Sequence, residues 1–236
     1  MFTKVGNGTM TVSGKWEKTG AIRVNEGTLL ISSGATIGTG AVTVAKDATL
    51  MGVTSSSNTL NNASYTINGT LHVGSNATAI TGALNVGGKN VTFNSGSRLV
   101  IGARRGATAS TTGGSALTNV GRLTMNGIVE IYSPASINFK EGDSIILWQA
   151  NSFSGTPTLA SYVISIDEGL YWDDTDLSKG ILRVTTVVPS AISGVRRDSD
   201  ESTAIYTTDG RRLPTTDRRQ LQPGIYIQNG QKFRVR

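Results

Sequence analysis

The chain contains no cysteine and one histidine, His72. No disulfide framework or thiolate metal site can therefore form, and a metal site with two imidazole ligands is excluded. Any Ser/His/Asp triad would have to pass through His72. Aromatic residues make up only 6% and charged residues 16% of the sequence, with 5 Pro. No run of about 18 apolar residues exists to cross a bilayer as a helix, and the opening MFTKVGNG lacks the apolar core of a signal peptide. Stretches of Ala, Leu, Glu, Lys and Arg at helical spacing are also missing, which excludes a helical bundle. Glycine follows no three-residue period, which excludes collagen.

What is present is a β-and-turn composition: 29 Gly, 31 Thr, 24 Ser and 15 Asn among 236 residues. With 37% apolar residues and a mean hydropathy of -0.10 the chain has material for a core and is not a disordered polymer. The net charge of +6 is unevenly placed. Residues 1–189 carry 13 Lys/Arg against 11 Asp/Glu, and residues 190–236 carry 9 against 5. Arg-Arg pairs at 104–105, 196–197, 211–212 and 218–219 have neither a helix nor an aromatic platform to display them, so they are read as solvated turns and strand ends, with no nucleic acid as partner.

Internal repetition dominates the first half. Gly20-Ala21-Ile22-Arg23-Val24 is echoed by Gly40-Ala41-Val42-Thr43-Val44, loosely by Asn62–Ile67, and by Gly82-Ala83-Leu84-Asn85-Val86. A second element, Gly27-Thr28-Leu29-Leu30-Ile31, returns as Ala48-Thr49-Leu50-Met51 and Gly69-Thr70-Leu71-His72-Val73, 21 residues apart each time. Further copies are assigned to Ser97–Ile101 and Gly121–Met125. Within each copy apolar and polar residues alternate, so each short strand has one face to bury and cannot do so alone. Stacking the copies along an axis buries those faces in one column, and a coil of about 20 residues suits a parallel β-helix better than a propeller blade. The rival arrangement is an antiparallel β-sandwich of hairpins. Residues 52–62 and 102–116 read as loops bulging from a corner.

The order Lys4–Gly14, Gly20–Leu29, Ile37–Val44 and Ala48–Leu50 resembles the autotransporter-associated β-strand repeat, also called the passenger-associated transport repeat. The resemblance covers residues 3–52, with a degenerate continuation to about 132. It implies an all-β, right-handed parallel β-helix forming a stalk on an exported bacterial protein. Because such repeats recur many times in long chains, it also implies that residue 1 lies inside a longer stalk.

From 117 to 188 the pattern changes, and residues 133–189 are assigned to a capping segment. Ile145-Ile146-Leu147-Trp148 is fully apolar, and two of the three Trp, Trp148 and Trp172, fall here. Large aromatics bury much area each, so this stretch is expected to cap the open end of the solenoid. Its strings Asn151–Pro157, Gly169–Leu177 and Gly180–Val184 resemble the terminal segment that follows such repeats in exported passengers. Residues 190–203 read as a polar linker. In 204–236, Ile205–Thr207 leads into an Asp209-Gly210 turn, Pro223-Gly224 opens a second strand, and Asn229-Gly230 turns it into a third, giving a small antiparallel sheet.

This tail resembles the C-terminal sorting domain of type IX secretion cargo from Bacteroidota-type bacteria, through Tyr206, Asp209, Gly210 and Arg211 in the first strand and turn, Pro223, Gly224 and Tyr226 in the second, and the basic ending at Arg236. That resemblance implies recognition by outer-membrane secretion machinery and an extracellular or outer-membrane-surface location.

Parallel β-helices also host polysaccharide lyases and glycosidases, and fold does not decide activity. Glycosidases need two flanking carboxylates. The one dense acidic cluster is Asp167, Glu168, Asp173, Asp174 and Asp176, read as a turn beside the cap, with Asp173, Asp174 and Asp176 as calcium candidates. His72 is read as an outward residue between Leu71 and Val73, and no cofactor is called for. The expectation is a non-catalytic, adhesin-like display stalk with a C-terminal export region, in contact with glycans or a host surface. The alternative is an accessory or catalytic β-helix module of a polysaccharide-degrading surface enzyme.

Overall fold

The computed structural model describes residues 1–54, 59–79, 81–103, 115–132, 139–160, 169–187, 205–207, 213, 221, 223–228 and 231–235. The described chain divides into two compact units, 1–189 and 190–236.

The first unit is a parallel β-helix. One sheet stacks β1 (Phe2–Lys4), β3 (Ile22–Val24), β5 (Val42–Val44), β7 (Ser64–Ile67), β9 (Gly82–Phe93), β11 (Ser115–Met125) and β14 (Trp148–Ser154) in that order. The other stacks β2 (Thr9–Val12), β4 (Thr28–Ile31), β6 (Thr49–Gly52), β8 (Thr70–Val73), β10 (Arg98–Gly102), β12 (Ile128–Tyr132) and β15 (Thr158–Leu159). Every neighbouring pair in both sheets is parallel. The chain thus alternates between the sheets, one strand in each per coil, which rules out the sandwich of hairpins.

The alternation read from the sequence sets which side chains enter the column. Leu29, Leu50, Leu71, Leu99 and Val129 lie in register in the second sheet, and all are buried. In the first sheet Val24, Val44, Ile67 and Phe93 do the same. A third side, made of connecting segments, closes the coil with Ala35, Ile37 and Leu60, and these join the same apolar cluster.

Two repeat assignments are corrected. Gly82–Val86 is not the in-register copy of Gly40–Val44, because Tyr65 pairs with Val91 and Ile67 with Phe93. The Gly82–Val86 stretch instead forms the earlier half of β9, where the Asn85 carbonyl accepts from Leu60 N–H at 2.9 Å. A corner at Gly87 and Gly88, both at positive φ, separates the two halves of the strand. β11 bends at the matching place through Asn119, at φ 52, which accounts for its register shifts against β9. Gly121–Met125 likewise belongs to the first sheet, Leu123 opposite Val91, while the next copy of the second element is Ile128–Ile131. Both are apolar-alternating segments that satisfy the same pattern, so pattern alone could not choose between sheets.

Corners recur as Asn residues. Asn68, Asn94 and Asn126 follow strands of the first sheet, and each backbone N–H donates to the coil before it. Asn94 Nδ2 also donates to Asn68 Oδ1 at 2.7 Å, linking successive corners through their side chains. Close stacking explains one glycine: a Cβ on Gly40 would overlap the carbonyl of Gly20 in the coil below.

The two ends differ. In the first coil the inward positions hold Phe2, Lys4, Met10, Val12 and Trp16, with Phe2 and Trp16 edge to face at 5.0 Å. Lys4 occupies the place of Val24 and Val44, and its ammonium donates to the carbonyls of Val5, Gly6 and Glu26. An inward charge on an edge strand opposes edge-to-edge pairing.

At the other end the parallel stack runs past residue 132 through β14 and β15. An antiparallel sheet of β13 (Ser144–Ile146), β17 (Ile181–Thr185) and β16 (Tyr171–Asp173) packs Ile145, Leu182 and Val184 into the same apolar cluster. A 3-10 turn, Leu177–Lys179, precedes Gly180, whose Cβ would strike Trp148 of β14. Trp148 itself stacks on Phe153 at 5.7 Å.

The second unit is a three-stranded antiparallel sheet in the order β18 (Ile205–Thr207), β19 (Gly224–Gln228), β20 (Gln231–Val235). Leu213 N–H donates to the Ile205 carbonyl.

Candidate functional site

Four places hold groups capable of chemistry or recognition. The first is the outer face of the first sheet. Arg23, Thr43, Thr66, Thr92, Thr124 and Ser154 form one outward column in strand register. Parallel strands set neighbouring positions about 4.8 Å apart. The result is a regular row of hydroxyls, with Thr124 Oγ1 and Ser154 Oγ 3.1 Å apart.

The second is His72. Its register between Met51 and Val100 puts it on the outer face of the second sheet, as the alternation requires. It is nevertheless buried, because the turn at 74–79 folds over it. That turn is held by Asn76, whose Oδ1 accepts from both the N–H and the hydroxyl of Thr78. Among the described residues His72 Nε2 has no hydrogen-bond partner. Burial pushes its pKa below the ordinary histidine value, against an opposing pull from the Glu130 carboxylate. Sequence reading found the direction of this side chain and missed its cover, since a turn's path across a sheet face has no local signature.

The third is the acidic cluster. Asp167 and Glu168 lie outside the described residues. Asp176 binds Lys179 Nζ at 2.7 Å and Arg183 at 3.3 Å, and these hydrogen bonds, Lys179 first, hold its carboxyl below the usual range. Asp173 Oδ1 accepts from Thr175 N–H at 3.0 Å. The structure thus ties Asp173 and Asp176 into the turn that precedes β17. Among the described residues no group of three or more His, Asp or Glu is placed to hold a metal ion.

The fourth is a cavity of about 250 Å³ on the third side of coils one to three, lined by Lys15, Trp16, Glu17, Lys18, Thr39 and Asn61 among others. The segment 14–18 is positioned by backbone pairing to the next coil, with Trp16 N–H donating to Thr36 and Thr39 N–H to Lys18. Trp16 is half-buried, and Lys15, Glu17, Lys18 and Asn61 are exposed. Nothing in the sequence pattern singled out this group, because its members come from three different coils.

In the C-terminal unit the structure brings Tyr206 and Tyr226 onto neighbouring strands. Tyr206 pairs with Ile227 and Thr207 with Tyr226, and Pro223 and Gly224 open β19. Tyr226 sits opposite Phe233, ring centres 5.9 Å apart. Asp209, Gly210, Arg211 and Arg236, with the four Arg-Arg pairs, lie outside the described residues. No helix among the described residues is long and apolar enough to cross a membrane.

The class these features define is a parallel β-solenoid of seven strands per sheet with an antiparallel end sheet, followed by a separate small β unit. Comparison with family models, with curated proteins and with solved structures finds no match to the chain.

Proposed function

We propose that this chain is the non-catalytic stalk and C-terminal export and anchoring region of a bacterial surface or secreted protein, a solenoid that holds partner-binding elements away from the cell. The observation that carries the reading is the order of parts: a stacked parallel solenoid, an antiparallel sheet at its end, then a separate antiparallel unit whose strands match the tail resembling a sorting domain. Six spacings between seven stacked strands give a rigid body about 29 Å long, stiffened by continuous backbone ladders. The charge balance fits as well, since most of the net positive charge belongs to residues 190–236. The partners in this reading are outer-membrane secretion machinery, through the C-terminal unit, and glycans or a host surface, through the solenoid.

The test uses the whole chain behind a periplasmic leader in a type IX-competent host, beside a version ending at 189. The expected result is whole chain accessible to protease on intact cells and the shortened form held in the periplasm. Equal export of both forms, or retention of both, overturns the export reading.

A further inference from the structure

We propose that the turn at residues 74–79 is an acid-opened lid on the outer face of the second sheet, shut while His72 is neutral and lifted when its ring takes up a proton. His72 points outward in register between Met51 and Val100, yet it is only 6% exposed, because the turn lies over it. The contact is close: a Cβ built on Gly74 would lie 3.1 Å from His72 Nε2, 3.1 Å from the Ala79 Cβ and 3.0 Å from the Asn76 carbonyl oxygen. The neutral ring tolerates an unpartnered Nε2, since that nitrogen can be the one without a hydrogen. Protonation puts an N–H and a charge there, shut off from solvent and with no acceptor among the described residues. A buried charge of that kind is relieved by letting solvent in.

The turn is built to lift by itself. Residues 75–78 are exposed, and the hydrogen bonds that Asn76 accepts from Thr78 and Ala79 are internal to it. Among the described residues its one backbone hydrogen bond to the rest of the coil runs from Gly74 N–H to the Gly52 carbonyl, at 3.1 Å. Such a segment opens at lower free energy than the ladders of β6, β8 and β10 beneath it. The turn carries no titratable side chain, and Met51 and Val100 bring none. Among the described residues the titratable groups on this face are Glu130, in the same outward row one strand beyond Val100, Arg98 beside that row, and Tyr132 opposite Gly102. Glu130 and Arg98 pair with each other at 2.9 Å, so the carboxylate is already engaged. With burial the largest influence, His72 is held below its ordinary 6.5, and the lid opens as pH falls beneath that value. Lifting it uncovers the middle of the outward row Leu30, Met51, His72 and Val100. This inference concerns the solenoid alone and does not depend on the export reading.

The experiment is native-state hydrogen exchange of the intact chain, corrected for the intrinsic pH dependence of amide exchange, with the ¹⁵N resonances of the His72 ring followed in the same pH series. The amides of Gly74 and Ala79 should hold constant protection above pH 6.5 and lose up to about 10-fold per pH unit below it, while Leu50 and Leu71 in the ladders stay protected. His72 should titrate below 6.5, and Gly74→Ala, whose Cβ crowds Nε2, should move that titration towards 6.5 and release the Ala79 amide at neutral pH. His72→Leu should keep both amides protected across the series, and His72→Gln serves the same purpose if the leucine variant does not fold. A His72 ring that titrates at 6.5 or above in the intact chain, amide protection that ignores pH, the same loss in a folded His72 variant, or loss at Leu50 and Leu71 in the same step would each overturn the proposal.

Discussion

Leu50→Ala tests the stacked core most directly. Leu50 is fully buried, in register with Leu29 below and Leu71 above, and β6 is hydrogen-bonded on both edges. The ladders on either side keep the coil from closing around a missing side chain, so the cavity persists. A Leu→Ala change in such a place costs about 3 kcal/mol, within the ~2–5 kcal/mol range of cavity-forming substitutions. For a unit of this size that is a fall in Tm of about 6–12 °C.

Leu159→Ala is the internal control. Leu159 is half-buried on the last strand of the second sheet among the described residues, where β15 pairs with β12 alone, so its loss should cost about 1 kcal/mol. Urea unfolding followed by far-UV circular dichroism measures both, and hydrogen exchange locates any partial opening, because stacked coils need not unfold as one unit. A cost below about 1 kcal/mol for Leu50→Ala, or one equal to that of Leu159→Ala, would refute a single dry column running through the coils.

Further tests address other contacts. Gly40→Ala should destabilise by at least about 2 kcal/mol in thermal melts, because its Cβ would overlap the Gly20 carbonyl in the neighbouring coil. Tyr65→Phe should cost about 1–2 kcal/mol in urea unfolding, since Tyr65 donates to buried Asn62, which itself donates to the Gly40 carbonyl. Burial raises the Tyr65 pKa above its ordinary 10.0, so this tyrosine's contribution is complete below pH 10 and is lost as pH rises above it; in Tyr65→Phe that part of the alkaline loss disappears. His72 is held below its ordinary 6.5, first by burial, so stability is complete above pH 6.5 and falls as pH drops below it, by at most about 1.4 kcal/mol per pH unit; His72→Gln should flatten that part of a pH series of melts.

The parts of the fold that were legible in the sequence share one property: neighbours in space are separated by a constant interval in the chain. Leu29, Leu50 and Leu71 are 21 residues apart, and they stack in register. Legibility failed where the interval changed. The coil containing Gly82–Val86 gains residues through the corner at Gly87 and Gly88, so the Ala-Leu-Asn-Val echo matched the wrong half of β9. The candidate site was less legible still. Trp16 carries no repeat signature, and the residues beside it in the cavity reach it from coils whose outer segments vary in length.

By itself, then, the sequence determined the architecture: an all-β chain, a solenoid built from alternating short strands, and a small antiparallel tail. Period-two alternation and a fixed repeat length are local properties, and stacking follows from them because no single strand can bury its own face. Tertiary structure alone decided the register of the longer coils, the burial of His72 beneath the 74–79 turn, the engagement of Asp176 by Lys179 and Arg183, and the assembly of Lys15, Trp16, Lys18, Thr39 and Asn61 around one cavity. Each depends on how far a connecting segment travels before the next strand begins. That distance is set by packing against neighbouring coils and leaves no trace in the alternation of apolar and polar residues.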